Sequence, residues 1–479
     1  MNKNRNKVAA MMMVAAITVS SVAMPVEAAV SCVESVGIER GNAVDQEIKD
    51  VKLDANNFPD DEFRKRLAEK FNIANDGTGV ITADSIRKTK SITFSGGNKK
   101  IYSLEGIQNF VLLEDISISS QFIENVDLSR NINLKRIYFP YNNTRNIILP
   151  DNSLESVSVN GNNIENLDLK NNTSIKWINC SYNKIKEIKL EKYALLQGLG
   201  IAGNKLTNIN LSNNTALKNL EIEDNNLQEL NLINNTGLKI LHFGNIELSF
   251  IDLSNQSDLE ELKVVKSSIP ELNLSKKIEL SKLILEDNKE LENINLKECN
   301  KLGEIELKRN NLIKSIDLSN KKTLNKVKII SNEKLEEINL DGSSSIRQLD
   351  IKFNRVKKLN LNEQDVLSSF YFYEENCGYL ELNENAPVKI INGLEEQYIN
   401  NVLVDSKTNS VDLSAILPGI NMERVDVKTE GVNKDKNKLN LGNKRPRKIE
   451  YEYDILGNNT KKWQYFLIWV IIYQMKVLF

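Results

Sequence analysis

The side chains that could do chemistry in this 479-residue chain are few and scattered. His242 is the single histidine, and Glu221 and Lys263 occupy the same repeat position on either side of it. No HExxH pair, Cys–His arrangement, G-x-S-x-G elbow or phosphate-binding loop occurs. Glu221, Glu223 and Asp224 make an acidic spot on one predicted strand. Paired carboxylates can do acid–base work only where apolar surroundings move a pKa, and none are expected here, so a solvated face is predicted. Ala74 to Ser85 has the outline of an EF-hand loop, with Gly79 in the sixth slot and Ile81 in the eighth. Slots 1, 5 and 12 hold Ala74, Thr78 and Ser85, which leaves Asp76 as the one good ligand. The reading is therefore no metal, no cofactor and no enzyme.

Contact chemistry is better represented. Tyr138 and Tyr141 share one repeat, and Trp177 and Tyr182 lie two repeats on, about 10 Å away at strand spacing. Between and beyond them stand Ser158, Asn160, Gly161, Gly198, Gly200, Ala202 and Gly203, a floor of small residues, with Lys135 and Arg136 at the rim. Exposed aromatics on such a floor suit a binding hot spot for protein or glycan. Aromatic cross-strand pairing that merely stabilises the sheet is the competing explanation. A second group, Phe353, Tyr371 and Tyr373, is expected to be buried beneath a C-terminal cap.

These residues are positioned by a repeat. Thirteen times between Leu113 and Pro387 the chain follows the phrase L-x-x-L-x-L-x-x-N-x-L-x-x-L-x-L-x-x-N over 20 to 22 residues. That period predicts a leucine-rich-repeat solenoid. In Leu217 to Gly237, Leu217, Leu220, Ile222, Leu227, Leu230 and Leu232 face inward, and residues at positions 3, 5 and 7 face outward on a parallel, concave sheet. Position 9 is usually asparagine, as at Asn142, Asn162, Asn183, Asn204 and Asn225, and its amide can satisfy backbone groups at a tight turn. Triplets such as Val126-Asp127-Leu128 and Ile251-Asp252-Leu253 predict a second short strand per coil, with few helices overall. One coil cannot bury its own leucines, so both ends need caps.

The ends are read as follows. Residues 1–28 are an export signal: Lys3, Arg5 and Lys7, then an apolar stretch, with cleavage expected after Ala28. A lipidated Cys32 is the competing possibility, against a poor lipobox. Residues 29–50 are a linker. Residues 51–112 form an N-terminal cap, with a helix after Pro59 whose first turn holds Asp60, Asp61 and Glu62. Residues 113–387 are the solenoid, 388–457 a β-rich C-terminal cap and 458–479 an apolar tail. Trp463 to Phe479 is short and interrupted for a membrane span, and the basic residues precede it, against the orientation preference. No LPxTG sorting motif is present.

Cys180, Cys299 and Cys377 fall coils apart, far beyond the roughly 7 Å Cα separation of a disulfide. The net charge of −2 shows no basic footprint for nucleic acid. The run from Lys434 to Lys448 reads as a solvated loop.

Asn57-Phe58-Pro59-Asp60-Asp61-Glu62-Phe63, the degenerate calcium-like loop, Leu104-Glu105-Gly106-Ile107 and repeats such as Leu196 to Ala216 resemble secreted leucine-rich-repeat proteins of Gram-positive gut and oral bacteria, in the style of internalins. The resemblance covers roughly residues 50 to 455. It implies a secreted or cell-surface adhesion scaffold that binds a protein or glycan on a host or microbial surface, and it supplies no catalytic residue. The alternative is a passive surface spacer without a ligand.

Overall fold

A computed structural model of the chain describes residues 48–151, 153–373, 377, 379–383, 391–392, 396–400, 410–417, 420–441, 448–454 and 462–468. Residues 1–28, most of the linker, Cys32 and residues 469–479 lie outside the described residues. The fold is a leucine-rich-repeat solenoid with a parallel main sheet and few helices. It divides into two compact units. One runs to Asn204 and includes Asn219–Glu221, and the other comprises Lys205–Lys218 and the chain from Ile222 on.

In the first unit, helix α1 (Asp61–Phe71) begins at Asp60, whose carboxylate accepts from the Phe63 N–H at 2.8 Å. The other oxygen of Asp60 accepts from the N–H groups of Tyr102 and Ser103, which ties the helix start to the chain entering the first repeat. Phe63 and Leu67 are buried, and Phe71 stacks on Phe110. The loop before helix α2 (Ala83–Lys88) is closed by Asp76, which accepts from the backbone and hydroxyl of Thr78. Those bonds hold the Asp76 carboxyl below its ordinary range. Among the described residues no group of three or more His, Cys, Asp or Glu could hold a metal ion.

The main sheet of this unit starts ahead of the first repeat, at Ser91–Ser95, an element the period could not reveal. Asp115–Ser119, Arg136–Tyr138, Ser156–Ser158, Trp177–Asn179, Gly198–Gly200 and Asn219–Glu221 follow, each parallel to the last. Leucine layers result from this register: Ile178 pairs with Leu199 and Leu199 with Leu220. Leu196, Leu199, Ile201 and Leu206 are fully buried, worth roughly 1.5–3 kcal/mol each when removed from water.

The second unit repeats the design with five-residue strands: Ile240–Gly244, Glu261–Val265, Lys282–Glu286, Glu304–Lys308, Lys326–Ile330, Gln348–Lys352 and Ser369–Tyr373. Beyond the repeats, Lys448–Asp454 pairs antiparallel with Val425–Val427 and with Lys462–Ile468, which also runs parallel to Glu396–Asn400. Trp463 to Ile468 is therefore strand. Among the described residues no helix is long and apolar enough to cross a membrane. Within the basic run, Lys434 donates to the carbonyls of Met422 and Val425, and residues 442–447 lie outside the described residues.

The asparagine ladder forms as expected. Asn183 donates to Val159 and Cys180 carbonyls and accepts from the Ile164 N–H; Asn332 donates to Leu307 and accepts from Asn310. One residue earlier, position 8 is left-handed in coil after coil. In the first unit Ser120, Tyr141, Gly161, Tyr182 and Gly203 have φ between 57° and 68°. In the second, Asp224, Asn245, Lys266, Asp287, Arg309, Ser331 and Phe353 lie between 47° and 58°. The turn demands this conformation whatever residue stands there, glycine or not.

The second strand is less regular than the triplets suggest. Asn125–Asp127 pairs with Asn146–Ile148 in the first unit, and three such pairs occur in the second. Leu167 to Leu169 and Ile251 to Leu253 form no strand, and Leu230 is only half-buried. Side-chain amides replace ladder bonds on this flank: Asn172 donates to Pro150 and Leu169, Asn235 to Leu211 and Gln256 to Leu232. With those carbonyls satisfied, regular pairing is not required.

Candidate functional site

The outward face of the first unit's sheet carries the six residues singled out from the sequence. Tyr138, Tyr141 and Tyr182 are 44%, 50% and 45% exposed, and Trp177 is half-buried. Trp177 sits at position 3 of its coil and Tyr182 at position 8, so they mark opposite margins of one strand and its following turn. Tyr141 and Tyr182 are the left-handed residues of alternate coils.

The small residues do not form an open floor. A Cβ on Gly161 would run into the ring of Tyr141, one on Gly198 into the six-membered ring of Trp177, and one on Gly203 into the ring of Tyr182. Each ring therefore leans across onto the glycine of the next coil. Ser156, Ser158, Gly198, Gly200 and Ala202 are buried beneath this layer. The rings, and not a recess between them, are the surface. Among the described residues Tyr138, Tyr141 and Trp177 make no contact with another aromatic ring, so cross-strand aromatic pairing does not explain their presence.

The rim charges are spent internally. Lys135 bonds Glu114 at 2.7 Å and holds that carboxyl below its ordinary range. Arg136 grips Asp115 through Nε at 2.5 Å and a terminal nitrogen at 2.7 Å. In the coils beginning at Leu154, Ile175 and Leu196, outward positions 3, 5, 7 and 8 carry no charged side chain. Asn179 Oδ1 accepts from the Ser181 N–H, and Asn160 Oδ1 from the Ser158 hydroxyl. The buried Ser181 hydroxyl has no partner within the chain.

Three other readings are settled by position. Glu221 and Glu223 are not solvated: they are 4% and 6% exposed. In the second unit Glu223 is bonded by Lys263 at 3.1 Å, and His242 bonds Glu261 at 3.0 Å. Phe353 is 55% exposed and leans on Tyr373, with ring centroids 5.2 Å apart, so this pair is not buried under a cap. Cys180, Cys299 and Cys377 are buried, and burial pushes the Cys180 thiol up to about 12, far from nucleophilic use.

No protein-family model matches the chain, and no curated protein matches its sequence. Solved structures similar to it are internalins and leucine-rich-repeat domains. They include the functional domain of InlJ from Listeria monocytogenes, 18% identical over 88% of this chain and 99% of that one, with a TM-score of 0.49. The leucine-rich-repeat domain of APL1 is 16% identical over 65% and 86%, TM-score 0.44, and the internalin InlF of Listeria monocytogenes 18% over 52% and 98%, TM-score 0.29.

Proposed function

We propose that this chain is an exported binding scaffold of the internalin-like kind. It contacts a macromolecule on a host or microbial surface through the outward face of its first unit. The observation that carries this reading is the set of three partly exposed rings that lean on glycines of the next coil, with no charged side chain at the outward positions of the coils beginning at Leu154, Ile175 and Leu196. Such groups offer large rigid area at little entropic cost. Residues 1–28 direct export, the site of action is extracellular, and the role is adhesion without catalysis. The spacer reading fits the second unit, whose outward charges are paired among themselves.

The test is capture from a surface extract by the immobilised full chain, compared with the Tyr138→Ala/Trp177→Ala variant. Ring-dependent capture, by a variant that still unfolds in one cooperative transition above the assay temperature, supports the role. Equal capture by both proteins removes the face from it.

A further inference from the structure

The sheet face of the second unit pairs its own charges, but the flank that carries the second strand does not. We infer that this flank, over the coils from Gln228 to Lys277, docks a basic, amphipathic segment of a partner protein, with an arginine of that segment lying over Phe250 between Glu229 and Glu271. The site is independent of the recognition role proposed for the first unit.

The repeat marks the place. Phe250 falls in the slot just before the Ile251-Asp252-Leu253 triplet. That slot holds Glu229 and Glu271 in the adjacent coils, and asparagine, glutamate, serine or lysine in every other coil from Asn125 to Lys358. The phenylalanine points outward and is 73% exposed. Ile233 likewise stands where the adjacent coils carry Ser212 and Ser254, and it is 61% exposed. Two large apolar residues, in neighbouring coils and at slots the repeat keeps polar, form a patch that the fold itself does not use.

The flank is open at this point. Leu230 to Leu232 and Ile251 to Leu253 form no strand, and two grooves of about 420 Å³ and about 590 Å³ meet at Phe250 and Ile251. Glu229, Ile233 and Phe250 line the first, and Phe250 and Glu271 line the second, so the ring stands between the two carboxylates. Half-buried Leu230 and Ile251 add apolar area to the walls. A wall as exposed as Phe250 does not enclose a small molecule; it suits a segment of chain laid across the coils.

Charge selects the occupant. Glu229, Asp252 and Glu271 line the grooves, and of the two lining lysines Lys276 is exposed whereas Lys277 is 3% exposed. Asp252 accepts from the Ser254 N–H at 2.8 Å, whereas Glu229 and Glu271 form no ion pair among the described residues. A guanidinium is a planar cation that stacks on an aromatic ring and donates to carboxylates at its edge. An anionic lipid surface or an acidic peptide would be repelled here. A two-fold contact with a second copy would set carboxylates against carboxylates.

The probe is a labelled synthetic peptide alternating arginine and leucine, with a glutamate–leucine counterpart. Each is titrated with the full chain by fluorescence anisotropy in about 0.15 M and about 1 M NaCl. The arginine peptide should bind and the glutamate peptide should not. Phe250→Ala should weaken binding roughly tenfold, and Phe250→Leu, which keeps apolar area and removes the ring, at least about threefold. Glu229→Gln/Glu271→Gln should weaken it roughly tenfold in the lower salt and much less in the higher. Glu337→Gln, at the same slot and away from Phe250, should leave it unchanged. All four side chains are exposed, so the variants keep the core intact.

Failure of the arginine peptide to bind, equal binding of the two peptides, full binding by Phe250→Leu, or an equal loss with Glu337→Gln overturns the inference. Phe250-dependent retention on phosphatidylglycerol vesicles also overturns it and reassigns the patch to lipid. A Phe250-dependent dimer in sedimentation overturns it in favour of a second copy.

Discussion

The two units use one repeat, and their outward faces differ in chemistry. In the first, positions 3, 5, 7 and 8 bring rings onto glycines, with no charge in three successive coils. In the second, the same positions alternate acid and base: Lys282 bonds Glu261 at 2.9 Å, Lys326 bonds Glu304 at 2.5 Å, Lys352 bonds Asp350 at 2.9 Å, and Glu306 takes both Lys308 and Lys328. Arg309 spans Glu286 and Asp287. The inward leucines are alike in both, so stability and surface chemistry are set by different letters of the same phrase. A face that satisfies its own charges gives a partner little to bond, whereas half-exposed rings such as Tyr138 and Tyr141 offer apolar area still to be covered.

This contrast can be broken at several depths. The cores should behave alike: Leu199→Ala in the first unit and Leu283→Ala in the second each remove a fully buried side chain, and each should cost about 2–5 kcal/mol in denaturant unfolding. A large difference between them would mean that the units differ in packing as well as in surface. The ladders should also match. Asn183→Ala and Asn332→Ala each strand buried backbone groups, at about 1–3 kcal/mol.

In the first unit an added methyl group outside meets an aromatic ring. Gly198→Ala must displace the Trp177 ring, with an expected loss of about 1–3 kcal/mol, read as a fall in melting temperature. Only the second should show a strong acid limb centred on Glu261. His242, and then Lys282, hold its carboxyl down to about 2. A carboxyl depressed in the folded state stabilises above its unfolded pKa, and that stability fades as pH falls towards about 2. Glu261→Gln should flatten the stability profile between about pH 4.5 and about pH 2; an unchanged profile would remove the pairing from the account. The smallest effect belongs to the half-exposed pair of Lys326 and Glu304: Lys326→Ala should change stability by about 0–1 kcal/mol, less still in high salt.

The repeat phrase by itself determined that positions 1, 4, 6 and 11 face the core, that the main sheet is parallel, and that asparagines form a ladder. A 21-residue period with leucines at positions 1, 4 and 6 admits one stacking, and each of those positions meets its own kind in the next coil. Position-specific exposure was not legible in the same way. Glu221 and Glu223 read as solvated and are buried; Phe353 read as covered and is open. The glycines read as a floor, and the rings lie on them. The first strand of the main sheet, Ser91–Ser95, falls outside the period and left no signal. These properties were decided by tertiary structure, because an outward side chain's surroundings come from residues some twenty positions away in either direction. The rotamer chosen against those neighbours, and not the residue type alone, fixes which surface meets water.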